Sequence, residues 1–149
     1  MTSNRKLSIL LVEDNLGDIR LTRESLEESK ISYRLHVVRD GVEALTFLRK
    51  KKNYKDVDLP DVIFLDLNLP KKNGRKVLTE IKHDEDLKSI PVIVLTSSDE
   101  EQDIINLYNL HANCYVKKSP DLDQFIKVVK SISNFWLYVV KLALNGRFI

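Results

Sequence analysis

The chain has 149 residues, the size of one ordinary domain with a full core and no room for a separate DNA-binding module. Its 24 lysines and arginines nearly balance its 22 aspartates and glutamates, so the overall field selects neither nucleic acid nor membrane as a partner. Cys114 is the only cysteine, which excludes an internal disulfide, and no run reaches the length of a membrane span or signal peptide; a soluble cytoplasmic protein is expected.

Apolar runs of strand length recur at Leu7 to Val12, Leu35 to Val38, Val62 to Leu65, Pro91 to Leu95 and Cys114 to Val116, each followed by residues at helical spacing. This alternation predicts an α/β fold, a doubly wound five-stranded parallel sheet with five helices on its two faces. Ile19, Thr22 and Leu26 mark the first helix with a thin apolar stripe. Gly41, Ala44, Leu45 and Leu48 mark the second, and Val77, Leu78 and Ile81 the third. Between the second helix and third strand, Arg49 to Asp56 is a basic loop. It reads as a solvated helix end whose cations oppose the macrodipole, or as a contact surface for an acidic partner. Ser98 with Glu101 is a capping box opening the fourth helix, and Leu122, Phe125, Ile126, Val129 and Ile132 define the fifth.

That last helix is expected to extend over about 121–144 within a single domain covering 1–149. Its segment Phe135 to Leu144 is apolar around most of its circumference, more than one core face can use. Trp136, Val140 and Ala143 continue the core stripe, while Val128, Phe135 and Leu142 form a second. A homodimer face through Val128, Phe135, Trp136 and Leu142 is expected, against the plainer reading of a helix end covered by Asn145 to Ile149. His36, His83 and His111 lack the spacing of a metal or catalytic pair and read as surface or helix-end residues; Cys114 reads as a small buried hydrophobe.

The chemistry concentrates at one sheet edge. Four apolar residues, Val62 to Leu65, end on Asp66, and Leu69-Pro70 then stops the strand; in open α/β sheets the carboxyl edge is where reacting groups gather. Glu13 and Asp14 end the first strand in the same way, next to the third across the topological switch. Three carboxylates in one pocket repel unless a cation sits among them, and hard oxygen ligands suit Mg²⁺, with the backbone carbonyl of Asn68 as a further donor. Thr96 ends the fourth strand and Lys118 the fifth, with Lys117 the competing cation because a strand end is too irregular for alternation to decide. A nucleophilic oxygen, a metal, a cation and a hydroxyl are the parts that phosphoryl transfer to a carboxylate requires.

As an ordered set, five motifs resemble the receiver domain of two-component response regulators. They are Ile9 to Asn15, Asp40 to Leu45, Asp66 to Pro70 with Gly74, Pro91 to Thr96, and Tyr115 to Lys118. The resemblance implies the flavodoxin-like strand order 2-1-3-4-5. It implies that Asp66 accepts phosphate from a sensor histidine kinase, that Glu13, Asp14, Asp66 and the Asn68 carbonyl hold Mg²⁺, and that Lys118 contacts the phosphoryl group. Thr96 and Tyr115 would form the switch. Leu67 to Lys72, Asn113 to Tyr115 and Phe135 to Leu137 resemble the response regulators that serve bacterial phytochromes, which implies a phytochrome-type kinase as partner. The pattern departs at Glu13, where aspartate is frequent, at Ser97, where a smaller residue is common, and at Ser119, where most receivers have proline.

The function expected is a phosphorylation-controlled signalling switch with no output domain and no direct DNA binding, not a metabolic enzyme. The alternative is a phosphorylation-independent dimeric adaptor of receiver shape. A nucleotide- or flavin-dependent enzyme is disfavoured, because Gly17, Gly41, Gly74 and Gly146 form no phosphate-cradling motif.

Overall fold

Strand residues of alternating number point to opposite faces of a sheet, so an apolar run buried along its whole length needs cover on both sides. In the computed structural model this cover is provided twice. The structure describes residues 6–28, 32–96 and 101–118 and, beyond them, positions 123–124, 127, 130–131, 143–144 and 147–148.

The elements run β1 (Leu7–Val12), α1 (Leu16–Glu28), β2 (Tyr33–Val38), α2 (Gly41–Leu48), a short 3₁₀ turn (Lys52–Tyr54), β3 (Val62–Asp66), α3 (Gly74–His83), β4 (Val92–Thr96), α4 (Glu101–Asn109) and β5 (Cys114–Lys117). The five strands form one parallel sheet in the order β2-β1-β3-β4-β5, the doubly wound arrangement expected. Positions 123–124, 127 and 130–131 are helical, at the place of the fifth helix. Most of that helix, with Val128, Phe135, Trp136 and Leu142 of the expected dimer face, lies outside the described residues, as do Ser97, Ser98 and Ser119.

The core divides by strand parity. Leu10, Val12, Ile63, Leu65, Val92 and Val94 face α2 and α3 and pack with Ala44, Leu45, Phe47, Leu48, Val77, Leu78 and Ile81. Ile9, Leu11, Val62, Phe64, Ile93 and Leu95 turn the other way, onto Ile19 and Leu26 of α1. The thin stripe of α1 suffices because Thr22 and Ser25 are also buried, each hydroxyl donating to the carbonyl four residues earlier. Asp40 and Asn73 cap α2 and α3 by accepting the amide N–H groups of Glu43 and Lys76.

Two expectations are corrected or sharpened. The helix expected over about 121–144 does not reach its end: Ala143–Leu144 (β6) pairs antiparallel with Arg147–Phe148 (β7), Ala143 opposite Phe148. Two residues, Asn145-Gly146, separate the strands, and that pair favours a tight hairpin over helix continuation. Cys114 is only half-buried, because β5 is an edge strand. In the basic loop, Tyr54 packs on Phe47 with ring centroids 4.9 Å apart, and Arg49 reaches Glu80 at 3.3 Å.

Candidate functional site

The sheet register sets the site. Val12 is level with Leu65 in the β1/β3 pair, so Glu13 and Asp66, one residue further on, emerge side by side at the carboxyl edge. Asp66 lies level with Leu95, and Thr96 with Lys117, so the ends of β4 and β5 come to the same rim. Parity then selects the face: Glu13 continues the Ile9–Leu11 row, Asp66 the Val62–Phe64 row and Lys118 the Cys114–Val116 row, all toward α1.

There the Lys118 ammonium is held by carboxylates from three elements. Its Nζ is 2.6 Å from Glu13 Oε1, 2.8 Å from Asp18 Oδ2 and 3.5 Å from Asp66 Oδ2. Lys117 is exposed, which decides between the two lysines. Glu13 and Asp66 are buried. Glu13 Oε2 accepts the N–H groups of Asp14 and Asn15, and Asp66 Oδ1 accepts that of Asn68.

Burial, followed by the adjacent Asp66, pushes the Glu13 carboxyl up to about 7 despite the ammonium beside it. Burial alone would lower the Lys118 pKa, but bonds to Asp18 and Glu13 and the charge of Asp66 outweigh it and hold the group above its ordinary value. One ammonium does not fully neutralise the acids that crowd it.

The remaining expected residues fall in different places. Asp14 is half-exposed, with its carboxylate 3.8 Å from Arg39. Thr96 closes β4 at the correct edge, but its hydroxyl lies outside the described groups. Tyr115 is partly buried against the core. Among the described residues, no three His, Cys, Asp or Glu side chains are arranged to hold a metal ion. The donor chemistry nevertheless fits a hard divalent cation: two buried carboxylates short of positive charge, and a third on a neighbouring residue whose surface ion pair contributes little and is easily broken.

Asp18 is the site residue that sequence pattern does not single out. An acid in the first turn of a helix is already accounted for by the macrodipole, and nothing local signals a partner 100 residues away. Gly74, by contrast, has a visible reason. It opens α3 directly against the backbone of Asp66, where a Cβ would lie 2.5 Å from the Asp66 carbonyl oxygen.

Comparison with known proteins gives a consistent result. A profile described as response regulator receiver domain matches residues 9–130. The chain is 50% identical over 140 residues to response regulator Rcp1 of Synechocystis sp., covering 94% of this chain and 95% of Rcp1. Among solved structures it resembles the phosphorylated cyanobacterial phytochrome response regulator RcpA, with a TM-score of 0.89, 50% identity and coverage of 93% of this chain and 99% of that one. The Mn²⁺-bound form of Rcp1 superposes with a TM-score of 0.88, also at 50% identity, covering 91% and 98% of the two chains. No helix among the described residues is long and apolar enough to cross a membrane.

Proposed function

We propose that this chain, which belongs to the response regulator receiver family, is a signalling switch that takes a phosphoryl group onto Asp66 from a phosphohistidine of a sensor kinase. The observation that carries the reading is the Lys118 ammonium poised between the buried carboxylates of Glu13 and Asp66 at the sheet's carboxyl edge. A surface ion pair needs no such burial, whereas an acyl phosphate needs a fixed cation beside the carboxylate that forms it.

In the proposed reaction an oxygen of Asp66 attacks phosphorus. A new P–O bond forms as the P–N bond to the kinase imidazole breaks, and the imidazole, its other nitrogen already protonated, leaves as a neutral ring with the bonding pair. Lys118 meets the charge on the phosphoryl oxygens. The Asn68 N–H, 3.2 Å from Asp66 Oδ1, orients the carboxylate so that its other oxygen is presented. Glu13, Asp14, Asp66 and the Asn68 carbonyl are the groups that would hold Mg²⁺, which supplies positive charge to the acids and the incoming phosphate. By family resemblance, the Thr96 hydroxyl bonds the phosphorylated product and Tyr115 moves inward behind it, altering the face used by partners.

Similarity to the phytochrome response regulator RcpA over nearly its full length supports a phytochrome-type kinase as donor. Labelling by acetyl phosphate tests the central claim. Incorporation should depend on Mg²⁺ and vanish in Asp66→Asn; full labelling of that variant would rule Asp66 out as the acceptor.

A further inference from the structure

We propose that Asp18 is a positioning residue, which parks the Lys118 ammonium at the mouth of the pocket and gives it up when an anionic phosphodonor enters. The inference rests on the reading of Asp66 as phosphoacceptor and concerns a residue to which that reading gives no part.

An ammonium has three N–H donors. Two are committed in hydrogen bonds to Glu13 Oε1 at 2.6 Å and Asp18 Oδ2 at 2.8 Å, while Asp66 Oδ2 stands at 3.5 Å, beyond good hydrogen-bonding distance. The carboxylate that would react is thus the one Lys118 serves least. The third N–H can serve a phosphoryl group on Asp66 strongly only if the ammonium moves in from its 3.5 Å stand-off, and that movement stretches one of the two present bonds.

Burial decides which. The Glu13 side chain is 2% exposed, and with Lys118 withdrawn its oxygen would have no water to replace it. Asp18 is 28% exposed, so water can take the place of the ammonium at small cost. Asp18 is also held in position for this contact. Its N–H donates to Asn15 Oδ1 at 3.0 Å, and its carbonyl accepts from the Thr22 hydroxyl at 2.8 Å, which fixes the first turn of α1 toward the end of β5. Stabilisation of a helix N-terminus by an acid requires no cation from a strand 100 residues distant.

Two effects follow from removing this charge while keeping the side-chain shape. Lys118 loses a competitor for the phosphoryl group, and an anionic donor meets one less negative charge at the entrance. At a separation of about 6 Å and the water-like dielectric of an exposed pocket mouth, roughly 40–80, one charge amounts to about a three- to tenfold change in affinity.

The test measures initial rates of Asp66 phosphorylation against acetyl phosphate concentration at saturating Mg²⁺ for wild type, Asp18→Asn, Asp18→Glu and Asp66→Asn. In the transfer, the P–O bond to Asp66 forms as the donor's P–O bond breaks, and acetate leaves with the electron pair. Asp18→Asn should lower the half-saturating concentration about three- to tenfold with the saturating rate within twofold of wild type, and Asp18→Glu should restore the wild-type value. A structural lesion would instead depress the saturating rate. Unchanged or weaker half-saturation in Asp18→Asn overturns the proposal, as does Asp18→Glu behaving like Asp18→Asn. With normal wild-type labelling either result removes Asp18 alone; an unlabelled wild type, or a labelled Asp66→Asn, removes the phosphoacceptor reading and this proposal with it.

Discussion

The Lys118 ammonium lies 2.6 Å from the Glu13 carboxylate, a hydrogen bond between residues 105 positions apart that joins the end of β5 to the end of β1. β3 and β4 lie between those strands, so the long, flexible lysine stem spans the rim over Asp66. The site therefore closes only when the whole sheet is assembled.

Replacing Lys118 by methionine keeps the stem and deletes the charge. Loss of one fixed donor to a charged reacting group costs on the order of 100-fold in rate. Labelling of Lys118→Met by acetyl phosphate should fall by about that factor, while Lys117→Met, at an exposed position, should stay within twofold of wild type. Rates measured side by side for the two variants check it; equal loss in both would show that neither lysine has the special role.

Glu13 predicts a pH dependence of stability in metal-free solution. Its carboxyl ionises near pH 4.5 when unfolded and about 7 when folded, so between these values the folded chain binds the extra proton. The stabilisation is fully present below about 4.5 and is lost as pH rises through 7, amounting to up to about 3 kcal/mol. In chelator, Glu13→Gln should therefore gain on wild type as pH is raised across that window, read from urea midpoints. If Glu13 is a metal ligand, saturating Mg²⁺ should favour its ionised carboxylate and abolish or reverse the trend.

Much of this was legible in the sequence because burial writes itself as apolar runs. Val62 to Leu65 ending on Asp66 marks a strand tip, and Leu7 to Val12 ending on Glu13 marks its neighbour, so strand order alone brings the two acids together. Alternation from Val116 pointed to Lys118 over Lys117, and the structure keeps that parity, but sequence alone could not guarantee it because Lys118 lies beyond the last paired residue. Asp18 was masked by a sufficient local explanation. At Ala143–Leu144 the apolar content suggested helix, and the two-residue turn signal Asn145-Gly146 was read only as part of a tail covering the helix end.

Lys82 makes a separate contribution, remote from the site. Its Nζ donates to the carbonyls of Lys88 and Ile90 and to Asn113 Oδ1, tying the end of α3 to the segments flanking β4 and β5. Burial lowers its pKa, yet three acceptors hold it in place. Lys82→Met should cost about 1–2 kcal/mol, since water can reach some of the abandoned acceptors, and should leave labelling unchanged. Urea unfolding and the acetyl phosphate assay on the same preparation separate the two effects.

Gly74 and Gly17 make the sharpest contrast between two glycines near the site. A Cβ on Gly74 would stand 2.5 Å from the Asp66 carbonyl oxygen and 2.6 Å from Leu67 Cα, both backbone atoms that cannot yield without moving Asp66 or the start of α3. At Gly17, in the first turn of α1, the nearest atom is the side-chain oxygen of Asn15 at 3.1 Å, which can rotate aside. Gly74→Ala should cost about 1–3 kcal/mol from overpacking, and a shift of Asp66 approaching 1 Å should slow labelling by tenfold or more. Gly17→Ala should be neutral or more stable by about 0.5–1 kcal/mol through helix propensity, with labelling preserved. A tolerated Gly74→Ala would mean that the β3–α3 connection is soft enough to reposition Asp66 without penalty, contrary to the tight contact between them.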